Sequence, residues 1–288
     1  MRRVLTLSLV LVLLLAAAGF ALAWHPAIAP APVPPRSSFA PPVVTRGAEL
    51  AAIGDCAVCH TAPGGRAFAG GRSIPTPFGL VYSTNITPDA QTGIGAWTPD
   101  AFRRAMRDGI GRAGKHLYPV LPYPHFTRAT DDDLAALYAF IMTRAPARGS
   151  SPANKLPFPL NQRVLLAGWN LLFLRPGAWQ PDPAHDAAWN RGAYLVEAVG
   201  HCGACHSPHN ALGAEKSDQR LAGGHAEGWY SPPLQSGSPA PVHWDEAALA
   251  DYLRTGYEAR HGAAAGPMTA VTEQLARVPD EDVRAIAT

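Results

Sequence analysis

All four cysteines of this 288-residue chain belong to two copies of a Cys-x-x-Cys-His motif, at residues 56–60 and 202–206. In this pattern the two thiols add to the vinyl groups of a haem, and the adjacent imidazole binds the iron from one face. We therefore expect two covalently bound c-type haems. The expected attachment residues are Cys56, Cys59, Cys202 and Cys205, and the expected iron ligands are His60 and His206.

Two other cysteine chemistries fit the spacing less well. A zinc site made of two Cys-x-x-Cys pairs usually separates the pairs by about 15–20 residues, whereas most of the chain lies between Cys59 and Cys202. A thioredoxin-like redox site needs a single Cys-x-x-Cys and no histidine after it. The pattern therefore favours haem.

Residues 1–23 have the features of a signal peptide or an N-terminal anchor. Arg2 and Arg3 precede an apolar run from Val4 to Leu15, and residues 21–23 fit a small-x-small cleavage site. The apolar stretch is also long enough for an uncleaved anchor, so both alternatives stay open. In either case we expect a periplasmic protein at the outer face of the inner membrane.

The charge composition argues against nucleic-acid binding. Residues 1–23 contain two arginines and no acid, so the rest of the chain is formally neutral. It carries no run of lysine or arginine of the kind that nucleic acids require. The 29 prolines and 27 glycines are typical of loops that wrap a prosthetic group.

The sequence also repeats itself. An Arg-Gly-Ala-x-Leu segment begins at Arg46 ahead of the first motif and at Arg191 ahead of the second. Later, Trp97, Phe102, Arg107 and Gly109 recur as Trp244, Leu249, Arg254 and Gly256, always 147 positions on. We predict an all-α fold of two tandem class I cytochrome c-like domains joined by a Pro-rich linker. The expected segments are a Pro-rich linker at 24–45, domain 1 at 46–145, a linker with a short apolar segment at 146–185, and domain 2 at 186–288.

Helix signals recur in each copy. Thr98 and Pro99 begin an amphipathic helix that Gly109 closes, and Thr130 is a predicted N-cap of the next helix. The counterpart of that helix begins at Pro279 and is about one turn shorter. We therefore expect domain 2 to be cut short, as in a piece of a longer chain.

The second axial ligands are expected to differ between the two haems. Met268 follows Gly266 and Pro267 on a predicted loop and is the expected ligand of haem 2. The position 147 residues earlier is Leu121, so haem 1 needs another group, and His125 is the nearest nitrogen donor. The alternatives are an open site, His116 or Met106, although Met106 and Met142 are better explained as core residues. Bis-His ligation would give haem 1 the lower potential, so electrons would enter there.

The linker contains an apolar segment, residues 164–174, that is too short to cross a bilayer. It could lie at a membrane surface or against a partner subunit, with Trp169 at the boundary. A linker helix packed between the two domains explains it equally well.

Several motifs resemble the cytochrome c subunits of bacterial membrane-bound dehydrogenases. The resemblance extends along nearly the whole chain, and its clearest motifs are residues 54–65, 76–79, 83–88 and 116–119. The loop at His125 and Phe126, with residues 161–173 and 213–216, is more similar to the branch linked to molybdenum hydroxylases.

The resemblance implies that the chain accepts electrons from a dehydrogenase catalytic subunit of alcohol, aldehyde, sugar-acid or molybdenum-hydroxylase type. It implies delivery to quinone, a terminal oxidase or a soluble cytochrome, and association with a membrane. Members typically carry three haem domains, whereas this chain has two motifs. The quinoprotein branch has Met where Leu121 stands, which supports His125 as the replacement ligand.

Other classes of haem protein stay open. A dihaem redox enzyme, such as a peroxidase or a sulfur-compound dehydrogenase, would need an open face at haem 1. A haem-based sensor would need a signalling domain, and none is visible. We expect an electron carrier that is not catalytic alone, and surface positions for His185, His209, His225 and His261.

Overall fold

The computed structural model describes residues 2–235, 238–240 and 242–288. Met1, at the start of the predicted signal segment, and Ser236, Gly237 and Pro241, in the predicted second domain, lie outside the described residues. The described helices are α1 (Arg2–Ala23), α2 (Pro41–Ile53), α3 (Cys56–Cys59), α4 (Pro99–Asp108), α5 (Tyr123–Phe126), α6 (Asp131–Met142), α7 (Leu165–Phe173), α8 (Ala187–Tyr194), α9 (Gly203–His206), α10 (Glu246–Thr255), α11 (Pro267–Leu275) and α12 (Asp280–Ala287). A π-helical turn, Leu195–Val199, extends α8 towards the second motif.

Helix boundaries follow the predicted capping residues. The Thr98 hydroxyl accepts a hydrogen bond from the Ala101 amide at the start of α4, and Gly109 ends that helix at φ 64°. The Thr130 hydroxyl accepts from the Asp133 amide at the start of α6. These bonds satisfy amides that have no partner within the helix.

The second half of the chain repeats the helices of the first. Helix α2 crosses α6 at Gly47, where an added Cβ would lie 2.0 Å from the Ala136 carbonyl oxygen. Helix α8 crosses α12 at Gly192, where the corresponding distance to the Ala285 oxygen is 1.7 Å. Only glycine permits such close contact, so the glycine of each Arg-Gly-Ala segment has the same packing role.

The fold is mostly helical, as predicted, but it also contains short antiparallel ribbons that the all-α prediction missed. Strands β1 (Ser73–Thr76) and β2 (Gly79–Tyr82) pair after the first motif, and β3 (Gly224–Ala226) and β4 (Trp229–Ser231) pair after the second. Strands β5 (Tyr257–Glu258) and β6 (Gly262–Ala263) pair near the end of the chain. An isolated bridge between Ile110 and His116 stands 147 positions before the Tyr257–Ala263 pair.

One hydrophobic core runs through both halves. It includes Leu50, Ile53 and Phe126 from the first half, and Leu195 and Val199 from the second. Met106 and Met142 also lie in this core, as expected. The halves therefore fold against each other.

Helix α7 contacts both halves, as the linker-helix alternative predicts. Asn170 accepts a hydrogen bond from the Tyr123 hydroxyl at 2.6 Å, and the Trp169 indole donates to the Leu212 carbonyl oxygen at 2.9 Å. Leu171 and Leu172 remain exposed on its other side. Among the described residues, no helix combines the length and the apolarity needed to cross a membrane.

Candidate haem-attachment site

Each Cys-x-x-Cys-His motif begins with a sharp backbone turn. Asp55 precedes the first cysteine at φ 49°, and His201 occupies the equivalent position at φ 41°. This left-handed conformation is uncommon for residues other than glycine. It turns the chain from the end of the preceding helix into the short helix that carries the cysteines, and all four thiols are free of disulfide bonds.

The histidine of each motif is held by a backbone carbonyl. His60 Nδ1 lies 2.6 Å from the Thr84 oxygen, and His206 Nδ1 lies 2.7 Å from the Pro232 oxygen. A carbonyl can only accept, so Nδ1 carries the hydrogen and Nε2 keeps the lone pair that a metal ligand needs. Burial lowers the pKa of both imidazoles, which favours the neutral, ligating form.

The loop after each motif repeats the same hydrogen bonds. The Gly70 amide donates to the His60 carbonyl at 2.7 Å, and the Gly223 amide donates to the His206 carbonyl at 2.8 Å. The Thr61 hydroxyl accepts from the Phe68 amide, and the Ser207 hydroxyl accepts from the Leu221 amide. These bonds hold both imidazoles in place by the same backbone geometry.

The cysteines are unsuited to the alternative chemistries. Burial raises the pKa of Cys56 and Cys202 to about 12 and that of Cys205 to about 11, whereas a redox dithiol needs a thiolate of low pKa. Within the described part of the chain, no group of three or more His, Cys, Asp or Glu side chains could hold a metal ion. Two buried thiols beside an imidazole with a free Nε2 do fit a covalently attached haem in each half.

Met268, the predicted ligand of haem 2, lies in the first turn of α11 and not on a loop as expected. It is half-buried and packs against the core, as does Leu121. The sequence argument did not recognise that Pro267, at the first position of α11, starts a helix there.

His125, the predicted ligand of haem 1, lies in α5, and both of its ring nitrogens face the second half. Nδ1 is 2.8 Å from the Glu197 carbonyl oxygen, and Nε2 is 2.5 Å from Glu215 Oε1. Binding of iron by either nitrogen would replace one of these bonds. The ligand role of His125 stays a prediction.

The remaining histidines are divided between enclosed and exposed positions. His116 is buried beside the N-terminal segment, with its ring against His25 and its Nε2 near the Ala23 oxygen. His261 stacks on Trp244 at 3.4 Å between ring centroids, so the surface position predicted for it was wrong. His185, His209 and His225 are exposed, as predicted.

The two motifs meet at the contact between the halves. His201 Nε2 lies 3.3 Å from the Gly54 oxygen, and a Cβ on Gly200 would lie 3.5 Å from Ile53 and 3.6 Å from the Cys202 sulfur. Across the same contact Arg72 forms an ion pair with Glu227 at 2.8 Å.

Arg72 also places Nη1 3.9 Å from the Cys59 sulfur. Sequence reasoning missed this ion pair and the Glu215 partner of His125, because nothing local in the sequence pairs residues so far apart. It also missed the Thr84 and Pro232 carbonyls, which are backbone groups without a sequence signal.

The chain is similar to known cytochromes over its whole length. The model of the cytochrome c family matches residues 44–145. A nicotinate dehydrogenase subunit of Pseudomonas putida is 53% identical over 93% of this chain and 23% of its own length. The fructose dehydrogenase cytochrome subunit of Gluconobacter japonicus is 41% identical over 88% of this chain and 53% of its own length. A protein described as a dihaem c-type cytochrome, from Cereibacter sphaeroides, is 38% identical over 100% of this chain and 97% of its own length.

The fold and the Cys-x-x-Cys-His motifs define a c-type cytochrome, which carries covalently bound haem c. The chain spans about a quarter of the length of the first relative named above and about half that of the second. It belongs to the family of multihaem cytochrome c proteins that includes the cytochrome subunits of bacterial dehydrogenases. The resemblance found in the sequence is thereby confirmed.

Proposed function

We propose that this protein is a dihaem cytochrome c that carries electrons from a dehydrogenase to the respiratory chain. The observation that carries the proposal is the presence of two complete sets of attachment groups, two thiols and a carbonyl-held imidazole in each half, at the contact between the halves. In this proposal each half is one class I cytochrome c-like domain, and residues 146–185 join them.

The residues of the chain have defined roles in such a carrier. A haem attached in each half would supply one-electron chemistry. His60 and His206 would each bind one haem iron, and Met268 and His125 are the proposed second ligands of haem 2 and haem 1. The Thr84 and Pro232 carbonyls keep each imidazole in one tautomer and orientation. The core around Leu50 and Leu195 excludes water from the contact between the motifs.

We propose a dehydrogenase catalytic subunit of molybdenum-hydroxylase type as the electron donor. A relative named as a subunit of nicotinate dehydrogenase supports a dehydrogenase as the donor, and the molybdenum-hydroxylase type rests on the resemblance of the sequence around His125. Quinone, a terminal oxidase or a soluble cytochrome is the proposed acceptor. The protein is proposed to act in the periplasm, at the outer face of the inner membrane, with residues 1–23 as signal peptide or anchor.

Haem content tests the proposal directly. The chain is to be produced with export and haem-attachment machinery, and its mass and pyridine haemochrome spectrum measured. We expect a mass increase of two haems, falling to one in a Cys56→Ser/Cys59→Ser variant and also in a Cys202→Ser/Cys205→Ser variant. A colourless, correctly exported protein would refute the proposal.

Electron transfer needs a separate measurement. Stopped-flow mixing with a reduced molybdenum hydroxylase of the related type should reduce both haems of the intact protein. Two low-spin haems in the oxidised spectrum are expected. A high-spin haem 1 with peroxide turnover by the isolated protein would favour a dihaem enzyme instead.

A further inference from the structure

Asp55 is a buried carboxylic acid without an evident structural role. It stands immediately before Cys56, at φ 49°, and is only 9% exposed. Its Oδ1 atom is buried and has no hydrogen-bond partner. An unpaired acid in such a place is costly, because burial disfavours the charged form. Its position therefore calls for a functional explanation.

Asp55 lies within electrostatic range of both attachment sites. A negative charge on it raises the pKa of Cys56 and Cys59 in its own motif. The same charge raises the pKa of Cys202 and Cys205 in the other motif. The charge of Asp55 therefore acts on all four cysteine sulfur atoms that are proposed to attach the haems.

The charged and titratable groups around Asp55 come from three elements. Arg72 faces it from the start of the β1–β2 ribbon, and Glu227, at the turn between β3 and β4, pairs with that guanidinium at 2.8 Å. His201 approaches from the second half and bonds the Gly54 carbonyl beside Asp55. Burial lowers the pKa of His201 to about 4, so this imidazole is neutral near pH 7. His125 and Glu215, which contact each other, are also electrostatic neighbours of His201.

Two opposing influences act on the Asp55 carboxyl. Burial is the larger and raises its pKa, while Arg72 lowers it, and the net result is a pKa of about 7. The residue is therefore poised to change its protonation near neutral pH, where most carboxyls remain ionised.

We propose that Asp55 is a redox-linked proton-binding residue shared by the two haems. The inference rests on the proposed dihaem function. With haem attached in both halves, reduction of an iron would add one electron and remove one positive charge from the site, so the Asp55 carboxylate would become more basic and would take up one proton from solvent. Oxidation returns the electron to the acceptor and the proton to solvent. The electron comes from the dehydrogenase partner, or from a chemical reductant in vitro.

Spectroelectrochemical titration of the holoprotein at several pH values tests this role. In the wild-type protein both midpoint potentials should fall as pH rises through about 7. Asp55→Asn resembles the protonated acid, so it should match the wild type at low pH and keep higher potentials at alkaline pH. Asp251→Asn, which removes an exposed carboxylate on α10, should retain the wild-type pH dependence.

Two further variants should shift, in opposite directions, the pH range over which the midpoint potentials fall. Glu227→Gln frees Arg72 to stabilise the ionised Asp55, so the fall in potential should shift to lower pH. Arg72→Gln removes the counter-charge, so the fall should shift to higher pH. Redox difference infrared spectra should show a protonated carboxyl band at pH near 7 that is absent from Asp55→Asn.

The outcomes separate the possible explanations. Unchanged pH dependence in Asp55→Asn would assign the titration to the haem propionates and overturn the inference. If Asp55→Asn fails to incorporate haem, the Glu227→Gln and Arg72→Gln variants still test the inference. An unchanged pH range for the fall in potential in both variants would overturn it. A protein without haem would refute the proposed function instead, and the pyridine haemochrome assay reveals that beforehand.

Discussion

The two halves of this cytochrome share their backbone but differ in the side chains at equivalent positions. Both hold the motif histidine by a carbonyl, both have a left-handed residue before the first cysteine, and both cross two helices at a glycine. At that left-handed position the first half has Asp55 and the second has His201. At the position of the expected second iron ligand the first half has Leu121 and the second has Met268, and both side chains pack against the core.

This comparison teaches that different groups determine how each haem is attached and what its reduction potential is. Hydrogen bonds from the backbone maintain the attachment geometry and tolerate sequence change. The axial and buried charged positions affect the energy of each oxidation state, since a nearby charge or ligand acts differently on ferric and ferrous iron. Two copies of one fold can therefore have different potentials.

Exchanging the residues at the Leu121 and Met268 positions should have the largest effect. Met268→Leu should abolish the sulfur-to-iron charge-transfer absorption completely and lower the potential of haem 2, because a thioether stabilises ferrous iron. Leu121→Met serves as the matched variant in the first half and should raise the potential of haem 1. Redox-monitored visible and near-infrared spectra measure both. An intact band in Met268→Leu would remove Met268 as a ligand.

Adding one methyl group at either helix crossing should destabilise the fold strongly. Gly47→Ala and Gly192→Ala each put a Cβ within 2.0 Å of a backbone oxygen, so we expect a loss of about 3 kcal/mol or more. Thermal denaturation of the holoprotein measures it. Gly168→Ala on α7 is the control, since nothing lies within 4 Å of its added Cβ. Equal stability of all three variants would contradict the crossing geometry.

The ion pairs between the halves should have a smaller, pH-dependent effect. Asp282 accepts from Arg191 at 2.7 Å and from Arg46 of the other half at 3.2 Å. Burial raises the pKa of Asp282, but the two arginines together lower it by more, so the net shift is downward. A lowered pKa means that the stabilisation is present above the unfolded-state value of about 4 and is lost as pH falls below it.

Asp282→Asn should therefore cost about 2 kcal/mol at neutral pH. Its Tm deficit should shrink as the pH is lowered below about 4. Glu281→Gln, on the same helix, is the control for charge alone. A deficit that does not vary with pH would show that Asp282 acts without its charge.

The helix caps should give the smallest effect, and one that is similar in the two halves. Thr98 caps α4 and Asp245 caps the equivalent α10, each by accepting one amide hydrogen bond. Replacing either with alanine should cost about 1 kcal/mol, measured as the change in free energy of unfolding. A cost confined to one half would show that the halves unfold separately.

Much of the fold could be predicted from local sequence. Thr98, Thr130 and Gly109 mark helix ends because capping involves residues a few positions apart. The loop predicted at Met268 is the start of a helix. The short antiparallel ribbons were not predicted, because strands of two to four residues show little periodicity. The surface position of His261 was wrong because its stacking partner, Trp244, is distant in the sequence.

The sequence by itself determined the covalent haem chemistry. The thiols and the imidazole of each motif lie within five consecutive residues, so their spacing alone places them on one turn of chain. Only the tertiary structure decided that the two motifs meet and that Asp55 is buried between them. Burial and electrostatic coupling depend on groups such as Arg72 and Cys202, which approach through packing of the two halves.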